Sequence, residues 1–167
     1  MVTPGQPVAL VQLQGAYEFQ GLVGWVNARE VLLRATNVAP GATGGEQLLL
    51  VGRDGVQAYR QAIAPKLSPD GRWLLAKSSE AGGVTLRLVS GGARVLNPAA
   101  AAFDWAPEAD RVYATVERDV LALDLRGKVL RRWSGLANMA LGEVVVSPDG
   151  KLLACMADYN LAVLPLK

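Results

Sequence analysis

The tetrapeptide Ser68-Pro69-Asp70-Gly71 recurs as Ser147-Pro148-Asp149-Gly150, each time with an apolar segment before it and a basic residue leading into an apolar segment after it. Pro supplies the fixed φ of the second turn position, Asp can bond its own backbone, and Gly tolerates positive φ at the exit. Each copy predicts a β-hairpin. A chain that repeats one hairpin at distant positions is built from modules, and this constrains the fold more than any other feature of the sequence.

Two further copies emerge when the flanks are aligned: Phe103-Asp104-Trp105-Ala106-Pro107-Glu108-Ala109-Asp110-Arg111-Val112-Tyr113, and Val23-Gly24-Trp25-Val26-Asn27-Ala28-Arg29-Glu30-Val31-Leu32. Both lack the full turn motif, and both place Trp two residues before the turn position. With Asn27, Pro69, Pro107 and Pro148 equivalent, the intervals are 42, 38 and 41 residues. Blades of β-propellers repeat at about 40 to 50 residues, four strands to a blade. The spacing therefore predicts an all-β fold, a small β-propeller of about four blades.

Alternation and β-branched content place the strands. The first blade reads Gly21–Trp25, Glu30–Thr36, Gln47–Val51 and Val56–Arg60; the second Ile63–Leu67, Trp73–Ser78, Thr85–Val89 and Ala93–Leu96. The third reads Ala101–Trp105, Arg111–Val116, Val120–Leu125 and Val129–Trp133, and the fourth Glu143–Val146, Leu152–Ala157 and Leu161–Leu166. As one domain over 1–167, the blades lie near 17–60, 61–97, 98–134 and 135–167. The fourth blade has three strands, and one unassigned strand, Val8–Leu13, precedes the first. Adding that strand to the last blade would close the ring and remove two sheet edges. Exchange of first strands between two chains would instead give a larger ring, so a monomer and a strand-exchanged dimer both remain open.

Composition suits this architecture. Of 167 residues 51% are hydrophobic, and 18 Gly with 9 Pro fit short strands joined by turns. The net charge of +2 comes from 17 basic and 15 acidic residues scattered along the chain, which argues against nucleic acid as a partner. No apolar run approaches the about 20 residues needed to span a bilayer. The start, Met1-Val2-Thr3-Pro4-Gly5-Gln6, has no basic n-region and no apolar h-region. A cytoplasmic location is expected on that reading, and an extracytoplasmic one if a leader has been removed. The one cysteine, Cys155, reads as a small apolar residue on a buried strand.

The segments Lys66-Leu67-Ser68-Pro69-Asp70-Gly71-Arg72-Trp73-Leu74-Leu75-Ala76 and Val145-Val146-Ser147-Pro148-Asp149-Gly150-Lys151-Leu152-Leu153-Ala154 resemble the repeat of TolB-type and WD-like propellers. In that repeat an apolar strand, Ser-Pro-Asp-Gly-Lys/Arg and a second apolar strand follow one another. The resemblance runs from near residue 20 to Lys167 and implies a propeller serving as a protein-binding platform, often in the bacterial envelope. The sequence departs from the family in showing four repeats where six are usual, and nothing matches the N-terminal domain of TolB proteins. The TolB function is not carried over.

Residues with chemical potential are few. There is no His, so Ser-His-Asp and Cys-His sites are excluded and the commonest zinc ligand is missing. A metal held by acids at the ring axis would need carboxylates at matched positions. Three residues before the turn position stand Gly24, Lys66, Asp104 and Val145, and five before stand Leu22, Ala64, Ala102 and Glu143. One acid at each level makes no carboxylate ring, and no metal or other cofactor is expected. Small residues, Gly21, Ala64, Ala101, Ala102 and Gly142, crowd the inner strand, which suits either a narrow, plugged axis or packing against the neighbouring blade. Asp70 and Asp149 read as turn formers. Trp25, Trp73 and Trp105 adjoin turn motifs and read as packing between blades.

Arg126, Lys128, Arg131, Arg132 and Trp133 make the one local basic and aromatic cluster, on an outer strand. Arg and Trp favour interface hot spots, and charges also protect sheet edges. The loop Val38–Glu46 is Gly-rich but lacks the Lys-Ser/Thr and the strand–loop–helix context of a phosphate-binding loop. Ala99-Ala100-Ala101-Ala102 reads as a linker between blades, since Pro98 precedes it. The expectation is a non-catalytic scaffold with a protein partner, docked on that basic cluster. The alternative is a propeller hydrolase or lyase using carboxylates at one face.

Overall fold

The computed structural model describes residues 17–42, 45–52, 55–59, 63–77, 84–88, 91–136, 141–157 and 160–166. Among them the protein is all-β: fifteen strands, no helix, and four antiparallel sheets. No helix among the described residues is long and apolar enough to cross a membrane. The expected strand Val8–Leu13, and with it the closure assigned to it, lies outside the described residues. The chain divides into two compact units, Met1–Ala62 and Ile63–Lys167.

In the first unit, β1 (Tyr17–Asn27), β2 (Glu30–Asn37), β3 (Glu46–Gly52) and β4 (Gly55–Tyr59) pair in that order. Asn27 makes the first turn, its Oδ1 accepting the N–H groups of Arg29 and Glu30 at 2.8 and 3.1 Å. Pairing sets Val31 opposite Val51 and Leu33 opposite Leu49, and these four with Ala35 and Tyr17 make a cluster on one face. The β1 residues Phe19, Leu22 and Trp25 stand opposite Ala35, Leu33 and Val31, hence on that same face. Trp25 does not pack as expected: it is 60% exposed. β1 is an edge strand whose register slips at three places, which leaves its large side chains outside the buried centre.

The second unit holds three sheets. β5 (Ile63–Leu67), β6 (Trp73–Lys77), β7 (Val84–Leu88) and β8 (Gly91–Asn97) make one; β9 (Ala102–Trp105), β10 (Arg111–Val116), β11 (Asp119–Asp124) and β12 (Val129–Trp133) the next; β13 (Val144–Val146), β14 (Leu152–Ala157) and β15 (Asn160–Pro165) the last. Each is a meander, so neighbours in sequence are neighbours in space. The middle sheet is apolar on both faces, which explains why β10 and β11 are near-continuous hydrophobic runs. Its Phe103, Trp105, Val112, Ala114, Leu121 and Leu123 pack with Leu75 and Leu96 of the preceding sheet. Its Tyr113, Val120 and Ala122 pack with Val144, Val146, Leu153 and Cys155 of the following one.

A rule follows from the turn position. Residues five and seven beyond the turn Pro (Val112 and Ala114; Leu153 and Cys155) meet the preceding sheet, and those four and six beyond (Trp73 and Leu75; Tyr113) meet the following one. Each sheet thus offers one face backward and one onward. In the last sheet the onward face is bare: Val145, Leu152, Met156, Leu161 and Val163 are exposed.

The turns behave as their chemistry requires. Gly71 N–H and Gly150 N–H donate to the carbonyls of Ser68 and Ser147 at 2.9 Å, and both glycines have positive φ, 72° and 66°. Ser68 Oγ and Ser147 Oγ each donate to the Asp two residues on, and each accepts the N–H five residues on, from Trp73 and Leu152, at 2.9 Å. At the third turn Ala109 takes the glycine's place with φ 57°, and its N–H still reaches the Ala106 carbonyl at 3.0 Å.

Candidate functional site

The basic cluster sits on one hairpin. Asp124 closes it: its Oδ1 accepts the N–H groups of Arg126 and Lys128 at 2.8 and 2.9 Å, and its carbonyl accepts Gly127 N–H at 3.0 Å. These bonds, that of Lys128 foremost, hold the Asp124 carboxyl below the usual carboxylate range. Arg126 and Lys128 therefore project from a fixed turn. Gly127 has φ 87°, and a Cβ there would meet the Leu96 carbonyl of the preceding sheet at 2.7 Å.

The strand that follows, β12, is the outer edge of its sheet, with Val129, Leu130, Arg131 and Arg132 all exposed. Trp133 is half-buried against the cluster shared with the last sheet; its ring lies 6.2 Å from that of Tyr113 and tilted by 49°. The Arg131 guanidinium stands 4.6 Å from the centre of the Trp133 ring, a cation–π contact that fixes the side chain over an aromatic face. Arg132 lies 3.7 Å from Asp119 on β11. Cations and exposed aliphatics thus share one edge, while Trp133 anchors the strand from beneath.

The acids have structural partners. Asp104, the single acid three residues before the turn position, accepts Lys66 Nζ at 3.0 Å on one oxygen and the Val146 N–H at 2.8 Å on the other. It therefore ties the first strands of three sheets, β5, β9 and β13. Trp105 Nε1 adds a bond to the Lys66 carbonyl at 3.0 Å. Asp149 is held low by the Ser147 hydroxyl and the Lys151 amide. At Asp70, burial pushes the carboxyl up, and the Ser68 hydroxyl with the Arg72 amide and charge bring it below its ordinary value. Glu143 is exposed. Among the described residues no three His, Cys, Asp or Glu gather as metal ligands.

In the Gly-rich loop, Asn37 Oδ1 accepts Ala39 N–H at 3.0 Å, an Asx turn, and Ala42 N–H reaches the Ala39 carbonyl at 3.0 Å. Trp73 is half-buried, with the Arg94 guanidinium 5.6 Å from its ring centre. The sequence reading passed over Thr115. Fully buried, its Oγ1 accepts Ala102 N–H at 3.0 Å and donates to the Gly142 carbonyl at 3.1 Å. The signal was present: one aliphatic hydroxyl inside the apolar run Val112-Tyr113-Ala114-Thr115-Val116. Set against known proteins, the sequence matches no protein-family model and no curated protein.

Proposed function

We propose that this chain is a β-propeller-type scaffold of the TolB-like or WD-like kind, non-catalytic, that docks a protein partner along β12. What supports the propeller reading is the backward-to-onward packing of successive meander sheets in the second unit, together with the tie that Asp104 makes between the first strands of three sheets. What carries the docking reading is one observation: the edge strand β12 exposes Arg131 and Arg132 beside Val129 and Leu130, next to the fixed turn bearing Arg126 and Lys128. Such an edge offers unpaired backbone groups, charge and apolar area together, the combination that accepts an extended acidic segment as an added strand.

The test is quantitative capture of binding proteins by the wild-type chain and by Arg126→Glu/Arg131→Glu. Trp133 is left intact because it packs into the core. Loss of at least about tenfold in recovered partner, equivalent to about 1.4 kcal/mol, supports the site. Equal capture by both proteins overturns it. Sheets arranged without rotational order in an experimental structure of the whole chain would end the propeller reading.

A further inference from the structure

Arg131 and Arg132 are neighbours in sequence but differ in surroundings. Pairing sets Arg131 opposite Ala122 and Arg132 opposite Leu121, so the two side chains leave opposite faces of the sheet. Ala122 belongs to the cluster shared with the following sheet, and Leu121 to the one shared with the preceding sheet. On its face Arg132 has an acid of its own chain beside it, Asp119 at 3.7 Å. Arg131 has an aromatic ring instead. Its guanidinium stands 4.6 Å from the centre of the Trp133 ring, and among the described residues it makes no ion pair.

Trp133 is itself held, half-buried against the apolar cluster with Tyr113 6.2 Å away. A guanidinium over a packed ring is confined in position, yet its planar fork of N–H donors can still reach an acceptor at the rim. Arg131 is exposed, so that fork meets solvent. The backbone adds a register. Ala122 pairs with Arg131 and Leu123 with Val129, which makes Leu130 the extra residue of a bulge and leaves Arg131–Trp133 as the regular stretch of the edge. A strand added there sets one of its side chains directly beside Arg131.

We infer that Arg131 is the specificity-determining residue of the β12 edge: its guanidinium takes, in a bidentate pair, the carboxylate of one Asp or Glu in an extended segment of the partner protein. Arg126, Lys128 and Arg132 contribute charge to the same edge. The inference rests on the docking reading above and adds to it that guanidinium shape is recognised as well as positive charge. A planar fork matches both oxygens of a carboxylate, whereas an ammonium of equal charge does not.

Fluorescence anisotropy of a labelled synthetic peptide that alternates glutamate with valine tests it. The proteins are the wild-type chain, Arg131→Lys, Arg132→Lys and Arg126→Glu/Arg131→Glu, all of which alter exposed side chains and should leave circular dichroism unchanged. Arg131→Lys should weaken binding about tenfold, the loss of one charge-assisted hydrogen bond, and Arg132→Lys by less than about twofold. The ratio between wild type and Arg131→Lys should persist as salt is raised, because the two chains carry the same charge and are screened alike. Arg131→Lys binding as tightly as the wild type, with the charge-reversed chain weakened, overturns the inference and leaves the docking edge in place. Equal binding by the wild-type and charge-reversed chains overturns both. Equal weakening by the two lysine variants, or a wild-type chain that does not take up the peptide, also overturns the inference.

Discussion

Asp104 accepts the main-chain N–H of Val146 at 2.8 Å, so a side chain of one sheet completes the backbone of the next. Its other oxygen meets Lys66 Nζ at 3.0 Å, but the Lys66 side chain is 39% exposed. A hydrogen bond to a charged acceptor contributes about 1.5–3 kcal/mol, whereas ion pairs open to solvent contribute about 0–1 kcal/mol. Asp104→Ala should therefore cost about 2–3 kcal/mol in urea unfolding and Lys66→Ala less than about 1 kcal/mol. Equal losses would mean that the ion pair, not the backbone bond, holds the strands.

Thr115 poses the same question without charge. Thr115→Val keeps shape and takes from the Ala102 N–H and the Gly142 carbonyl the buried hydroxyl that joins them, at a cost of about 1–3 kcal/mol. Thr115→Ser keeps the hydroxyl and loses one methyl, about 0.8 kcal/mol. Thermal melts of the two variants should rank them in that order.

Gly127 and Gly135 both have positive φ, 87° and 70°, yet only Gly127 faces a wall. An added methyl at Gly135 meets nothing within 4 Å, so Gly135→Ala carries backbone strain alone, about 1 kcal/mol. Gly127→Ala adds a collision with the Leu96 carbonyl at 2.7 Å and should destabilise by at least twice as much in the same assay.

Asp124 and Asp149 have folded-state pKa values below the ordinary 3.8, held there by the Lys128 amide and by the Ser147 hydroxyl respectively. Between the folded and unfolded values the unfolded chain binds more protons, so stability is fully present above pH about 4 and is lost as pH falls through the folded values. The urea midpoint should decline below that pH. In Asp124→Asn/Asp149→Asn, which keeps an acceptor oxygen at both turns, the acid limb should be flatter.

Cys155 is 1% exposed, and burial pushes its thiol pKa up. A chromogenic disulfide reagent should leave it unmodified in the native protein and titrate it fully in denaturant. Fast native-state reaction would show that β14 opens readily.

Hairpins were the most legible part of the sequence. β5, β10, β12 and β14 run over the residues expected, because Pro-Asp-Gly, Arg-Gly-Lys or, before β10, Pro107-Glu108-Ala109-Asp110 punctuates each apolar run. β1 starts four residues earlier than its expected Gly21, extended by the alternating Tyr17-Glu18-Phe19-Gln20. The basic cluster was legible as a group, since its residues fall on one hairpin. The split between exposed Arg131 and anchored Trp133 was not, because it depends on Tyr113 across the sheet. Nor was the tie from Asp104 to Val146, which joins residues 42 apart. The bare face of β14 is the hardest case: Leu152-Leu153-Ala154-Cys155-Met156 is as apolar as a strand buried on both sides, and composition carries no mark of the missing neighbour.

The backward and onward faces have a bearing on how such a chain lengthens. A module inserted between two existing ones would meet surfaces of the same kind as those it separated, so gain or loss of a whole module demands no new joint. Size in this architecture is then governed at its extremities, by whatever blunts an unmatched surface, while the interior sets only the angle from one step to the next.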